Sequence, residues 1–505
     1  MSSLRHRFAG TLLLALLGLP GTAAVANTAV PTATSSDALA KLLTDAVEMA
    51  REGDSVGALN DFAKVFADPG FARLPAQLRL EGWVWAGRTA FNARLPGDAR
   101  RYLEAALKES PDDARAQYAL GRLLLSQGEV VEGARTITRA LRSPDAPLGD
   151  FDPQMAYQLI ERLQDQPEVR RDLLQVLFDR KWQNDGIEPA QLWLQLATLQ
   201  ADTGQRDRLA TTLARIDTPM EIVALRTDRR FDGVVDRNDP RWDPVAATRR
   251  HLDVLRVSAL LRPERGERLI ELCEMLLLVG EHQQVLDTTQ SLYARLSDPS
   301  APRRFEGGLY AGWLLVQRAR AEQRLGRDDA TTATLALAAE ISDPAAETTI
   351  PTLGLSIWYM ARQQPRQALD ALAGLDQGEV FGEVLRQWVR YIAYRGQGNL
   401  SGAASARRWL QDNNGLGREA YLEVLLEEQR TDEAAAWLIA QLQSPRYRQD
   451  ILVKLQTYRS LPPQPGDAVR DQRRDAVLKR DDVRRAVEAV GRIETQPLHD
   501  RGMWR

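Results

Sequence analysis

Residues 80–113 read LEGWVWAGRTAFNARLPGDARRYLEAALKESPDD, and residues 114–147 read ARAQYALGRLLLSQGEVVEGARTITRALRSPDAP. Set one beneath the other, Gly87 falls over Gly121, Ala99 over Gly133 and Ala106 over Ala140, a constant interval of 34 residues. A fixed interval of this size marks stacked supersecondary units, none of which buries its apolar face without its neighbour. The residues in register are small, and two helices cross at close range only where side chains are short. Bulk at Gly121 is therefore expected to force its helix pair apart. Proline follows each pair, Pro111 after the first and Pro144 after the second, where it cannot continue a helix.

From Leu80 the stretch resembles the tetratricopeptide repeat, with Trp83 at position 4, Ala86-Gly87 at 7 and 8, Ala99 at 20, Leu103 at 24, Ala106 at 27 and Pro111 at 32. The copy from Ala114 keeps Leu120-Gly121, Leu124, Gly133, Ile137 and Ala140 but has Gln117 in place of the tryptophan. The resemblance implies an all-α fold, an α-solenoid of antiparallel helix pairs, acting as a non-catalytic scaffold that holds a protein or peptide partner in its concave groove. By the family's lining positions the groove would present Glu81, Val84, Arg88, Phe91 and Asn92, then Arg115, Tyr118, Arg122, Leu125 and Ser126. Arg88 and Arg122 share one position a repeat apart, beside Phe91 and Tyr118. Two stacked guanidinium groups would clamp an acidic segment or a C-terminal carboxylate. The Lys and Asn of the family's carboxylate clamp do not occur at these positions. The same rule places Arg320, Arg324, Trp388 and Arg395 on the lining of later repeats, and Arg and aromatic side chains are the usual interface anchors.

Lys and Arg number 66 against 69 Asp and Glu, with 44% apolar residues. The chain has ample core and no basic surplus for nucleic acid or an anionic membrane. Met1 to Ala26 carries Arg5 and Arg7, an apolar run from Phe8 to Leu19, and Ala24-Val25-Ala26 as a cleavage site. This reads as a signal peptide. The run is too short to span a bilayer, so a periplasmic protein, not an integral membrane protein after cleavage, is expected. The one cysteine, Cys273, rules out an internal disulfide and sits at a small-residue position of a repeat.

The expected order is a flexible leader over 27–36, an N-terminal array over 37–147, an irregular helical linking region over 148–265, a second array over 266–463, and a charged helical cap and tail over 464–505. The first hairpin begins near Leu39 and turns at Gly53-Asp54. An insertion, Pro69 to Pro75, separates it from the next. Asp152-Pro153 opens a helix. Asn238-Asp239-Pro240 and Asp243-Pro244 mark a hinge or capping segment. The second array turns at Gly280, Gly326, Gln364-Pro365 and Gly398. Asp467 to Gly491 carries charges of both signs with a thin apolar stripe, as a solvated end repeat requires, and the Gly502-Met503-Trp504 ending lacks the alternation of a barrel strand.

Traces of chemistry are sparse. His251, His282 and His499 stand apart, without the spacing a metal site needs, and Gly396-x-Gly398 reads as a repeat turn instead of a phosphate loop. Asp328-Asp329 and Asp481-Asp482 are adjacent, so they face different sides of a helix; they suit helix starts. No cofactor is expected. Two rival readings remain: an adaptor in cell-envelope polysaccharide or outer-membrane assembly and secretion, and an enzyme whose site leaves no motif.

Overall fold

The computed structural model describes residues 35–146, 148–184, 186–261, 266–300, 308–342, 349–373, 375 and 380–500. The leader Met1–Ala26, residues 27–34 of the expected flexible stretch, and Gly502-Met503-Trp504 lie outside them. Among the described residues the fold is all-α, with 25 α-helices and a single two-stranded sheet. The chain divides into two compact units, residues 1–147 and 148–505.

The first unit is three helical hairpins: α1 (Ser36–Glu52) with α2 (Ser55–Ala67), α3 (Ala76–Asn92) with α4 (Pro96–Glu109), and α5 (Ala114–Ser126) with α6 (Val130–Arg142). Caps set the starts. The Ser35 hydroxyl accepts from the Ala38 amide at 3.3 Å, and Asp113 from Ala116 at 2.8 Å, each satisfying an amide the helix itself leaves unpaired. The small residues do what their interval implied. A Cβ on Gly87 would lie 2.5 Å from Leu103, and one on Gly121 2.5 Å from Ile137 and 3.1 Å from the Gly133 carbonyl. The insertion after Asp68 forms a 3-10 turn, Phe71–Arg73, that carries Phe71 into an aromatic nest. There Phe66 stacks on Trp83 at 3.7 Å, and Phe71 meets Trp83 edge-on at 5.2 Å.

The second unit opens with α7 (Pro153–Arg162), α8 (Pro167–Asp179), α9 (Ala190–Asp202), α10 (Arg206–Leu213), α11 (Pro219–Thr227) and α12 (Pro244–Leu261). Hairpins follow: α13 (Gly266–Val279) and α14 (His282–Leu296), α15 (Gly308–Arg324) and α16 (Asp328–Ile341), α17 (Thr349–Ala361) and α18 (Pro365–Ala371), α19 (Val380–Gly396) and α20 (Leu400–Asp412), α21 (Arg418–Glu427) and α22 (Thr431–Gln443). Their turns pass through left-handed backbone at Gly280, Gly326 and Gly398, and at Gln363 and Gln429 where no glycine is present. The segment after α11 is a packed corner, not a hinge. Phe231 and Trp242 are buried, and the fully buried Asp228 carboxylate accepts from Arg230 Nη2 at 2.5 Å.

The end of the chain differs most from expectation. α23 (Arg448–Lys454) packs against α11. After α24 (Asp467–Leu478), α25 (Asp481–Val490) buries Val483 and Val487 among the side chains of α22, as a cap would. The chain then turns back: β2 (Thr495–His499) runs parallel to β1 (Thr457–Arg459) and lies against α12 and α13, with Leu498 fully buried. Arg492 fixes the turn, donating to the Arg226 carbonyl at 2.7 Å and pairing with Asp232 at 2.6 Å. Beyond the charged cap, residues 495–499 thus pack inside their own unit. The alternation that buries Gln496 and Leu498 spans only five residues, too short to stand out in sequence.

Candidate interaction sites

In the first unit, α1, α3 and α5 line up one cation–aromatic series. The Arg51 and Arg88 guanidinium groups lie over the Trp85 ring, 5.1 and 4.8 Å from its centroid, and Arg122 lies over Phe91 at 5.4 Å. Each is close enough for the ring's negative face to attract the cation. Arg51 also pairs with Glu81 at 3.2 Å. Arg88 and Arg122 have no carboxylate partner among the described residues. Asn92, the last residue of α3, is exposed, and Phe91 is half-buried.

Two parts of the sequence-derived lining need correction. Tyr118 is 5% exposed and belongs to the core of its hairpin, so it offers no face to a partner. Trp85, which the lining rule passed over, holds the series together; an Arg three residues on, at the spacing of helical neighbours, was the available signal.

In the second unit the proposed set does not assemble. Arg320 and Arg324 are each 7% exposed. Arg324 donates to the carbonyl oxygens of Leu277 and Asp500, both at 2.7 Å, and Arg320 Nη1 donates to Gln317. Burial first, and then the charge of Arg320, push the Arg324 guanidinium down to about 9. Arg324 thus holds the returning C-terminal segment, and both arginines are buried away from any partner. Arg395 is exposed on α19, near the Tyr391 ring at 5.7 Å. Trp388, on the same helix, faces inward.

Trp388 lines a cavity of about 960 Å³ walled by α7 to α9, α11, α17, α19, α21, α23 and α24. One side is apolar, with Ile357, Met360, Ile392, Leu422 and Leu426 around the indole. The remainder is charged, and most of the charge is internally matched: Arg446 with Glu161 at 3.2 Å, Lys454 with Asp450 at 2.8 Å and with Glu419, and Arg470 with Asp467 at 3.3 Å. Burial pushes the Glu423 carboxyl up, against the opposing charges of Arg470 and Arg474.

A smaller cavity, about 300 Å³, carries a cluster of a histidine, a carboxylate and an arginine. His251 Nε2 lies 2.8 Å from Glu271, which also accepts from Arg268 at 2.9 Å, and Arg268 donates to the Asn184 carbonyl at 2.8 Å. Burial would raise the Glu271 carboxyl, but the hydrogen bond and charge of His251, with Arg268, hold it below the usual range. A carboxylate kept ionised between two donors is a structural tie. Cys273, fully buried nearby on α13, has its thiol pushed up to about 12 by burial, the opposite of an activated nucleophile. Among the described residues no group of three or more His, Cys, Asp or Glu is placed to hold a metal, and no helix is long and apolar enough to cross a membrane.

Residues 86–147 match the tetratricopeptide repeat family model, so that segment is a tetratricopeptide repeat region, and Arg88, Phe91, Asn92, Tyr118 and Arg122 all fall within it. Repeats of this kind are scaffolds for protein–protein contact. Among solved structures, the chain is similar to the P58(IPK) TPR domain, at 15% identity, over 81% of this chain and 100% of that one, with a TM-score of 0.22. It is similar also to the APC/C hetero-tetramer Cut9-Hcn1 (12% identity, 90% and 96%, TM-score 0.27) and to yeast Tom70 (10%, 90% and 100%, 0.22). At these scores the fold rests on the chain's own helices. A comparison with curated proteins finds no match.

Proposed function

We propose that the protein is an exported, non-catalytic scaffold of the periplasm that captures a protein or peptide partner on the α1, α3 and α5 face of its N-terminal hairpins. The observation that carries this reading is the series Arg51, Trp85, Arg88, Phe91 and Arg122, in which two guanidinium groups lie over aromatic rings and have no carboxylate partner among the described residues. Stacking limits the rotamers an arginine must give up on binding, so a planar anion meets a preorganised pair. The partner it suits is an acidic segment or a C-terminal carboxylate beside an apolar side chain. Export rests on the Met1–Ala26 leader.

The double charge reversal Arg88→Glu with Arg122→Glu tests the site. Affinity capture with crosslinking from envelope fractions should lose its prey while the helical circular dichroism stays unchanged; retention of the same prey would remove the site. Prey consisting of barrel proteins or secretion components would favour the envelope-assembly reading. Processing of the leader is read by N-terminal sequencing of the mature protein, and an intact Met1 start would sink export.

A further inference from the structure

The large cavity of the second unit holds three hydrogen-bonding atoms that the protein leaves unmet. Arg170 Nε, Trp388 Nε1 and Gln164 Oε1 are all buried, all belong to residues lining that cavity, and none has a hydrogen-bond partner among the described residues. Their neighbours make the omission specific. The cavity's other arginines each have a partner: Arg446 pairs with Glu161, Arg470 with Asp467, Arg474 donates to the Lys454 carbonyl, and Arg418 donates to the Gly415 carbonyl and stacks on Tyr447 at 3.8 Å. Arg170 donates through Nη2 only to the neutral Gln195 side chain and pairs with no carboxylate. Each unmet buried donor or acceptor costs about 1–3 kcal/mol. Folds keep such groups where a ligand completes them. Burial lowers the Arg170 guanidinium, with the charge of Glu161 opposing and that of Arg446 adding to the fall.

The three atoms ask for different things: Arg170 Nε for an anionic acceptor, Trp388 Nε1 for an acceptor, and Gln164 Oε1 for a donor. A peptide supplies all three, as carboxylate, backbone carbonyl and backbone N–H. The wall of Ile357, Met360, Ile392, Leu422 and Leu426 is there to receive its apolar side chains. At about 960 Å³ the cavity lies at the upper end of ligand-pocket sizes, roughly 300–1,000 Å³. We propose that this cavity is a second binding site, independent of the N-terminal cation–aromatic face, that takes a short apolar peptide segment by its carboxylate, with Arg170 as the anion-binding residue and Trp388 and Gln164 as backbone-reading residues.

The full chain is tested with three N-acetylated hexapeptide pools, randomised over uncharged residues. One has a free C-terminal acid, one a C-terminal amide and a single Glu, and one a C-terminal amide and no charge. Binding is read by saturation-transfer NMR and quantified by anisotropy on labelled members. At least one carboxylate pool should bind about tenfold tighter than the uncharged pool. Arg170→Gln should remove that advantage, and Trp388→Phe, which keeps an aromatic ring but loses the N–H, should weaken binding severalfold at unchanged melting temperature. Binding should survive the Arg88→Glu, Arg122→Glu pair. Equal binding of all pools, no binding of any, or loss of binding only in the N-terminal double variant would each overturn the proposal.

Discussion

Replacing Gly121 by alanine adds one carbon where the first unit has no space for it. Its Cβ would stand 2.5 Å from Ile137 Cγ1, and 3.1 Å from both the Gly133 oxygen and the Ile137 nitrogen. The isoleucine end can rotate; the two backbone atoms cannot move without α6 moving. Overpacking of this sort costs about 1–3 kcal/mol, and the upper part of that range applies where backbone is the obstacle. Alanine in a helix interior returns about 1 kcal/mol relative to glycine. The net loss is therefore about 1–2 kcal/mol, and a leucine would exceed it. Hydrogen exchange of the full chain, followed by mass spectrometry over residues 114–142, reads this locally: each 1.4 kcal/mol is about tenfold in protection, so Gly121→Ala should lose roughly tenfold. The control is Gly97→Ala, whose Cβ meets nothing within 4 Å; protection should hold steady or rise slightly. Unchanged or increased protection in Gly121→Ala would mean that α5 and α6 do not cross at close range there.

Three further outcomes are expected. Asp228→Ala leaves Arg230 at a fully buried carboxylate's former place and should cost about 3 kcal/mol in urea denaturation, with Asp228→Asn losing distinctly less; equal losses would show that the charge does not matter. His282 and His499 lie ring to ring at 5.6 Å, and burial, then the charge of Arg324, lowers both, His282 to about 4. A depressed imidazole favours the docked strand only while neutral. Docking is thus complete above pH 6.5 and is lost as pH falls toward about 4. Protection of 495–500, corrected for intrinsic exchange, should drop over that window, and a flat profile would contradict it. Cys273 should stay inert to thiol reagents until the unit unfolds; fast labelling of the native protein would show that its burial is wrong.

What could be read in advance was local. Gly53, Gly280, Gly326 and Gly398 mark turns because left-handed backbone is a property of one residue, and Gly87 and Gly121 mark crossings because helix neighbours recur at a set interval. What could not be read was distant. The lining rule says which side of a helix a residue occupies, not whether another element covers it. Arg324 is covered by Asp500, 176 residues further on, and no periodicity near Arg324 announces that. Tyr118 failed more simply, since its side chain is buried where the rule expected exposure. The cavity was missed almost entirely: Trp388 was singled out, but Arg170 on α8 and Gln164 in the turn before it come from a stretch that matches no repeat consensus and meets α19 only in the folded unit.

The tie between Arg492 and the Arg226–Asp232 corner joins positions about 260 residues apart. In an open solenoid each hairpin gains stability from its immediate neighbour, and growth from either end is possible. Closing this loop instead requires about 260 residues to be in place before the corner finds its counterpart, and the entropy of that closure must be overcome before the contact contributes anything. The three N-terminal hairpins need no such wait. Refolding from denaturant should therefore pass through a chain whose first unit is formed while the second remains an open, protease-sensitive arc until β2 docks.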